Sequence, residues 1–299
     1  MTDVRNGEIM SEILKKNNFS FQKKYGQNFL QDVKIPRRIA AECSDYERNG
    51  DGKIRAHILE IGPGAGILTK ELADIFEKVT AVEIDTSLEP VLKEALEGYD
   101  NTEVVFGDIM ETDIVSLLEE KRIASDGTRL PVSVCANLPY YITTPILMKL
   151  VEEYDDFDYI TVMVQKEVAT RLTSTPGSAE YGSITASLNL YGTVKRLFTV
   201  PSGCFFPRPK VDSAVIRISL HQPAKYTKEQ IKAASRVIKA AFSVRRKTLV
   251  NGLISLPGFE KDEIISTVEA VFGNATVRGE TLGAEQFVLL AEKLDELKK

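Results

Sequence analysis

Cysteine and histidine are scarce in this chain of 299 residues: Cys43, Cys135 and Cys204 stand far apart, and the only histidines are His57 and His221. Such a set forms no disulfide framework and no tetrahedral zinc site, so we expect reduced thiols and no metal. No apolar run approaches the roughly 20 residues that span a bilayer. The opening MTDVRNGEIMSEILKKNN lacks an apolar stretch set between basic residues and a small-residue cleavage site, so it does not read as a secretory signal. Together these absences point to a cytoplasmic protein without a membrane partner. Positive charge is also short: Lys and Arg number 38 against 43 Asp and Glu, a net charge of −5 with pI about 5.4. On its face that argues against a nucleic-acid partner, because phosphate binding asks for a basic footprint. The positive charge is clustered, however, at Lys23-Lys24, Arg37-Arg38 and Arg245-Arg246-Lys247.

What is present is an ordinary globular composition, 43% hydrophobic and 27% charged. From residue 57 short apolar runs alternate with helical stretches. HILEIG (57–62), KVTAVEID (78–85), TEVVFGD (102–108), VSVCAN (132–137) and DYITVMVQ (158–165) read as strands, with helical segments between them. That alternation predicts a mainly parallel sheet covered on both faces. GTVKRLFTV (192–200) and SAVIRISL (213–220) flank a Pro-rich turn and suit an antiparallel pair at the sheet edge, bringing the strands to seven. After Pro223 the pattern becomes helical only. Thr227 with Gln230 fits a capping box, and IKAASRVIKAAF, EIISTVEAVF and EQFVLLAEKLDEL carry helical apolar spacing. We therefore expect an α/β domain over 1–222 and a small all-helical domain over 223–299.

The first strand–helix junction is LEIGPGAGILT, with Gly62, Gly64 and Gly66. Glycines there permit a tight turn and let a ligand approach the backbone. Glu83 ends the second strand, where a carboxylate suits a ribose diol, and Asp108 ends the third, within reach of an adenine amine. Carboxylates and glycines at successive C-terminal strand ends predict an adenosine-containing cofactor. NAD and S-adenosylmethionine both fit these residues. Ile67 stands where the dinucleotide fingerprint prefers its third glycine, which favours S-adenosylmethionine.

The fourth strand runs into Asn137-Leu138-Pro139-Tyr140 on the same edge. This pattern resembles the signature of amino-methyltransferases that act on adenine N6 or similar planar nitrogens. An exocyclic amine is a poor nucleophile, since its lone pair is delocalised into the ring. Hydrogen bonds from its N–H groups to the Asn137 amide oxygen and the Leu138 carbonyl would favour a tetrahedral nitrogen aimed at a sulfonium methyl. Pro139 restricts the backbone and Tyr140 offers a stacking face.

YGQNFL (25–30), LEIGPGAGILT (59–69), VEID (82–85), GD (107–108), NLPYYITTPI (137–146), MVQKEVATRL (163–172) and FFPRPKVDSAV (205–215) together resemble the ribosomal RNA adenine N6,N6-dimethyltransferases. The likeness runs from about 18 to 290. AFSVRRKTLVNGL (241–253) is most similar to the family branch acting on 16S rRNA in the small subunit. The resemblance implies a Rossmann-like class I methyltransferase fold that dimethylates two adjacent adenosines in the 3′-terminal hairpin loop of 16S rRNA. The substrate would be the small ribosomal subunit or its precursor, with a role in ribosome biogenesis and a monomeric enzyme. It also implies that Asn28 and Leu30 join Gly62, Gly64, Glu83, Asp108 and Asn137 around S-adenosylmethionine, and that Phe205 forms an aromatic wall facing Tyr140. Lys23, Lys24, Arg37, Arg38, Arg245, Arg246 and Lys247 are the expected phosphate contacts. The acidic leader has no counterpart in these motifs. The alternatives are dimethylation of 23S rRNA, a non-catalytic RNA-binding assembly factor, and a dinucleotide-dependent oxidoreductase. The last would need a hydride-transfer residue near the fourth strand, and none is present.

Overall fold

The computed structural model describes residues 7–22, 25–50, 52–244 and 247–297. Among them the strands are β1 (Phe29–Leu30), β2 (Ile54–Ile61), β3 (Phe76–Glu83), β4 (Thr102–Phe106), β5 (Val132–Asn137), β6 (Phe157–Gln165), β7 (Gly192–Val200), β8 (Phe205–Phe206) and β9 (Ser213–Leu220). The helices are α1 (Gly7–Lys16), α2 (Lys34–Ala41), α3 (Ile67–Ile75), α4 (Glu89–Ala95), α5 (Ile114–Lys121), α6 (Thr143–Glu153), α7 (Lys166–Leu172), α8 (Ser183–Leu188), α9 (Lys228–Ser243), α10 (Leu249–Leu253), α11 (Lys261–Phe272) and α12 (Ala284–Glu296).

Seven strands form one sheet in the order β4-β3-β2-β5-β6-β9-β7. The pairs β2·β3, β2·β5, β3·β4 and β5·β6 are parallel, and β9 pairs antiparallel with β6. Every residue of β2 except Arg55 is buried, as is β5 up to Asn137. Strands with both faces covered read as continuous apolar runs, which is why these segments stood out in the sequence. The chain leaves β2 through α3 towards β3 and later returns to β5 on the other flank. The order therefore reverses at β2, and connections diverge from its C-terminal end. In open α/β sheets that crevice is where ligands bind.

Contacts divide the chain into two compact units. One holds the described residues up to Ala169 together with Lys195–Leu220, and the other holds Thr170–Val194 with the described residues from His221 onward. The expected single boundary at 222/223 thus has a partner upstream, because the segment 170–194 packs with the helices. Tyr181 shows why: its ring lies in the same apolar cluster as Ala234, Val237, Ile238 and Phe287, and its hydroxyl donates to the Leu282 carbonyl at 2.9 Å. In α9 the buried Ala234, Val237, Ile238 and Ala241 fall at helical spacing. Its start is the expected capping box, with Gln230 N donating to Thr227 Oγ1 at 3.2 Å and Thr227 N to Gln230 Oε1 at 2.8 Å. Gly252 in α10 sits so close to α9 that a Cβ there would lie 2.5 Å from the Ala240 carbonyl oxygen.

In the first unit two short elements were not foreseen. β1 and β8 form an antiparallel pair with Phe29 opposite Phe206 and Leu30 opposite Phe205. The leader, which had no counterpart in the motifs, supplies α1. Ile13 and Leu14 are buried with Leu88, Val91 and Leu92 around α4, and Lys16 Nζ bonds Glu94 Oε1 at 2.9 Å.

Candidate active site

A cavity opens at the C-terminal ends of β2, β3 and β5. Its floor is the glycine turn 62–65, its sides are Glu60, Glu83 and Asn137–Tyr140, and the segment Tyr25–Leu30 closes over it. Gly62 and Gly64 take φ of +71° and +57°, a region that side chains rarely enter. A Cβ on Gly62 would meet nothing within 4 Å, so the backbone there faces open space. A Cβ on Gly64 would stand 2.9 Å from Phe29 Cε1, so the glycine lets the aromatic ring of the overlying segment seat against the turn.

Glu83 is buried at the end of β3. Its Oε2 accepts from Gly64 N at 3.1 Å and its Oε1 from Asp85 N at 2.9 Å. These bonds lock the rotamer while each oxygen keeps a lone pair, which leaves the carboxylate able to accept further donors. Burial nonetheless raises its pKa, the backbone bonds opposing that. Glu60 is a cavity residue that the sequence reading missed. Both its oxygens are buried without a hydrogen-bond partner among the described residues. Desolvation, helped by the charge of Glu83 and opposed by the Thr69 hydroxyl, pushes its carboxyl up to about 8. The Thr69 hydroxyl lies near this carboxyl without a formed hydrogen bond, so a buried acid facing the cavity suits a cationic or hydrogen-bond-donating group. The signal was available, since an acid in the middle of the apolar run HILEIG needs a reason.

Asn137 ends β5 half-buried. Its Nδ2 donates to the Asn28 carbonyl at 3.0 Å, and Asn28 Nδ2 donates to the Gly26 carbonyl at 2.8 Å. With the amide nitrogen so engaged, Oδ1 is left as the acceptor for a substrate donor. Tyr140 is fixed through its hydroxyl, 2.7 Å from Ser213 Oγ, and burial raises its pKa. The overlying segment is held by Asp85, whose Oδ2 accepts from Gln27 Nε2 at 2.7 Å and Oδ1 from Gln22 Nε2 at 3.1 Å. Gln22, Gln27, Asp85 and Ser213 were not foreseen either; only their neighbourhood to YGQNFL, VEID and FFPRPKVDS pointed to them.

Asn28, Leu30, Gly62, Gly64, Glu83, Asn137, Leu138, Pro139 and Tyr140 all line this one cavity. Two expected residues do not. Phe205 is 2% exposed and packs in the apolar cluster with Leu30, Ile39 and Leu68, so it forms no wall facing Tyr140. The two motifs meet instead through the Tyr140–Ser213 bond. Asp108 lies beyond β4 in a turn, where its Oδ1 accepts from Met110 N at 2.8 Å and caps that turn. Gly107 N bonds the Glu83 carbonyl at 2.9 Å, which brings Asp108 beside the site without putting it on the cavity wall.

Of the expected phosphate contacts, Lys23, Lys24, Arg245 and Arg246 lie outside the described residues. Lys247 is exposed. Arg37 and Arg38 are exposed on α2, the first 3.6 Å from Glu71 and the second with its guanidinium 3.8 Å over the Phe198 ring. That contact sets α2 against β7, and Lys195 and Arg196 in β7 are also exposed, pointing to opposite faces of the strand.

The family described as ribosomal RNA adenine dimethylase matches residues 18–296 of this chain. The chain is 44% identical to "Ribosomal RNA small subunit methyltransferase A" of Lachnoclostridium phytofermentans over 296 residues, 96% of each chain. It is 42% identical to the protein of that name in Clostridioides difficile, covering 94% of this chain and 93% of the relative. Among solved structures, a dimethyladenosine transferase from Plasmodium falciparum matches with a TM-score of 0.73 and 25% identity, covering 90% of this chain and 98% of that one. The 23S rRNA methyltransferase ErmE shares the fold with a TM-score of 0.65 and 24% identity, over 89% of this chain and 99% of that one.

Proposed function

The chain belongs to the ribosomal RNA adenine dimethylase family, and from that premise we propose that it transfers methyl groups from S-adenosylmethionine to N6 of two adjacent adenosines in the 3′-terminal hairpin loop of 16S rRNA. The observation that carries the reading is the Asn137 amide, held by the Asn28 carbonyl with its oxygen left to accept.

The cavity fits the cofactor on three counts. Open space before Gly62 admits a ligand against the backbone, Glu83 presents a fixed acceptor for ribose hydroxyls, and the unpartnered Glu60 suits an ammonium group. Exposed Ile84 on the same cavity offers apolar surface to a flat base. When bound, the sulfonium supplies an electrophilic methyl. The protein's own part is orientation. Asn137 Oδ1 and the Leu138 carbonyl accept the two N–H bonds of the amine, Pro139 holds their spacing, and Tyr140, anchored on Ser213, stacks on the base. The methylated nitrogen becomes acidic and sheds its proton to solvent, so no strong base is needed. Phe205 supports this site from the core. Asp108 contributes next to Glu83 through the turn it caps.

A loop adenosine must be unstacked before N6 reaches the methyl. Arg37 and Arg38 on α2, with Lys23, Lys24 and the Arg245-Arg246-Lys247 run, are the residues we expect to hold phosphates of the bound RNA. Local basic patches on an acidic protein favour an assembled particle over free RNA, so the substrate is the small subunit or its precursor, and the protein acts in ribosome biogenesis in the cytoplasm. We take the enzyme to act as a monomer. Mass spectrometry of 16S and 23S rRNA from subunits incubated with the protein and cofactor tests the reading. N6,N6-dimethyladenosine at two neighbouring 16S positions is expected. Modification of 23S rRNA, or equal rates on immature subunits and protein-free 16S rRNA, contradicts it.

A further inference from the structure

Resting on that reading, we propose that Tyr141 and Phe206 form a second aromatic contact on the rim of the cavity, stacking the nucleobases that flank the extruded adenosine. Three aromatic rings stand out as exposed among the described residues: Tyr46, Tyr141 and Phe206. Tyr46 packs edge-on against Tyr159 near the start of β6, at the end of the sheet opposite the cavity. The other two, 63% and 50% exposed, lie just outside the cavity lining, each beside one of its residues, and come from motifs far apart in sequence. Tyr141 directly follows the base-stacking Tyr140. Its Cδ1 and Cε1 lie 3.7 Å from where a Cβ on Gly26 would stand, and Gly26 and Pro139 are cavity residues. Phe206 stands opposite Phe29, another cavity residue, in the β1·β8 pair, with its ring 5.4 Å from Phe21.

Two half-exposed aromatic rings beside one opening offer sequence-tolerant stacking faces at the entrance to the base site. The chemistry of the opening names what stacks there. Extruding one base from a loop leaves its neighbours with uncovered faces, and an aromatic side chain covers such a face whatever the base. When two adjacent adenosines are modified in turn, the one not in the pocket lies one phosphate away, where the rim is. Exposed Arg208 and Lys210, two and four residues beyond Phe206, supply cations for the intervening phosphates. Tyr141 and Phe206 are therefore positioning residues: they hold the strand so that the second adenosine follows the first.

The test compares the wild type with Tyr141→Ala, Tyr141→Phe and Phe206→Leu on unmethylated small subunits. A single-stranded oligoribonucleotide carrying 2-aminopurine beside an adenosine gives a direct stacking signal. Tyr141→Ala should raise KM for subunits about tenfold with cofactor Kd unchanged, and Tyr141→Phe should restore it. Quenching of 2-aminopurine should be present in the wild type and lost in Tyr141→Ala. Phe206→Leu keeps an apolar contact to Phe21, loses the ring, and should raise KM several-fold. An unchanged KM in both Tyr141→Ala and Phe206→Leu overturns the inference. A raised KM without quenching in the wild type marks a ribosomal protein as the partner and overturns it too. A wild type that methylates no small subunit refutes the proposed function instead, which separates the two failures.

Discussion

The arm that covers the cavity and the helical unit are both additions to the sheet, and they are held by different means. The arm combines polar ties at the site itself, Gln22 and Gln27 bonding Asp85 and Asn137 bonding the Asn28 carbonyl, with a small apolar anchor in which Phe29 and Leu30 are buried. The helical unit is held by an apolar core in which Val237, Ile238, Phe287 and Leu290 are fully buried. A net hydrogen bond contributes about 1 kcal/mol, whereas burying one large apolar side chain contributes roughly 1.5–3 kcal/mol. The difference teaches that the arm is the segment whose order is coupled to the cavity, while the helical unit keeps its shape independently of it. Segments of low local stability are the ones that ligands order.

Three substitutions sharpen or break that contrast when cofactor affinity is followed by titration calorimetry. Glu60→Gln should weaken S-adenosylmethionine binding most, by about tenfold, since an ammonium beside Glu60 draws the proton off the carboxyl and the resulting charge-assisted bond is worth roughly 1.5–3 kcal/mol. The same residue sets a pH dependence. Its folded pKa of about 8 lies above the ordinary 4.5, so between those values the folded protein holds a proton that the unfolded chain has released. Stability of the cofactor-free protein should fall as pH rises through that window, and Glu60→Gln should remove this part of the fall, read from denaturant midpoints at several pH values. Gln27→Ala comes next, with affinity reduced several-fold and faster proteolysis of the arm. Gly252→Ala should leave affinity alone yet destabilise the helical unit by about 1–3 kcal/mol, because its Cβ would press on the Ala240 carbonyl. An arm variant without effect on affinity, or a Gly252 variant with one, would break the comparison.

What the sequence makes legible is the part where local pattern and burial agree. Four of the five parallel strands carry apolar runs because both faces are covered, the edge strand β4 being only partly buried, and the glycine turn and Asn-Leu-Pro-Tyr segment announce themselves at the strand ends. The capping box at Thr227 was readable because it is local. The rest depends on choices made across the chain. Phe205 and Phe206 are neighbours in a strand and must face opposite ways, and only the pairing with β1 decides that Phe205 turns inward. Asp108 looks like a strand-end acid, yet a one-residue turn directs its oxygen to Met110 N. The segment 170–194 is rich in Ser and Thr and poor in charge, which reads as a connection and not as part of the helical unit; its membership rests on contacts such as Tyr181 to Leu282, about a hundred residues apart. Gln27 reads as an ordinary polar residue until Asp85 is placed beside it.

The central claim is that the Asn137 amide, oriented by the arm, holds the attacking amine. Single-turnover transfer of labelled methyl onto small subunits by Asn137→Ala, paired with its cofactor Kd, tests this most directly. The account predicts a rate loss of about 100-fold or more with Kd changed by less than about tenfold, because Glu60, Glu83 and Gly62 remain. Transfer within a few-fold of the wild type, or a loss explained wholly by cofactor affinity, would contradict it.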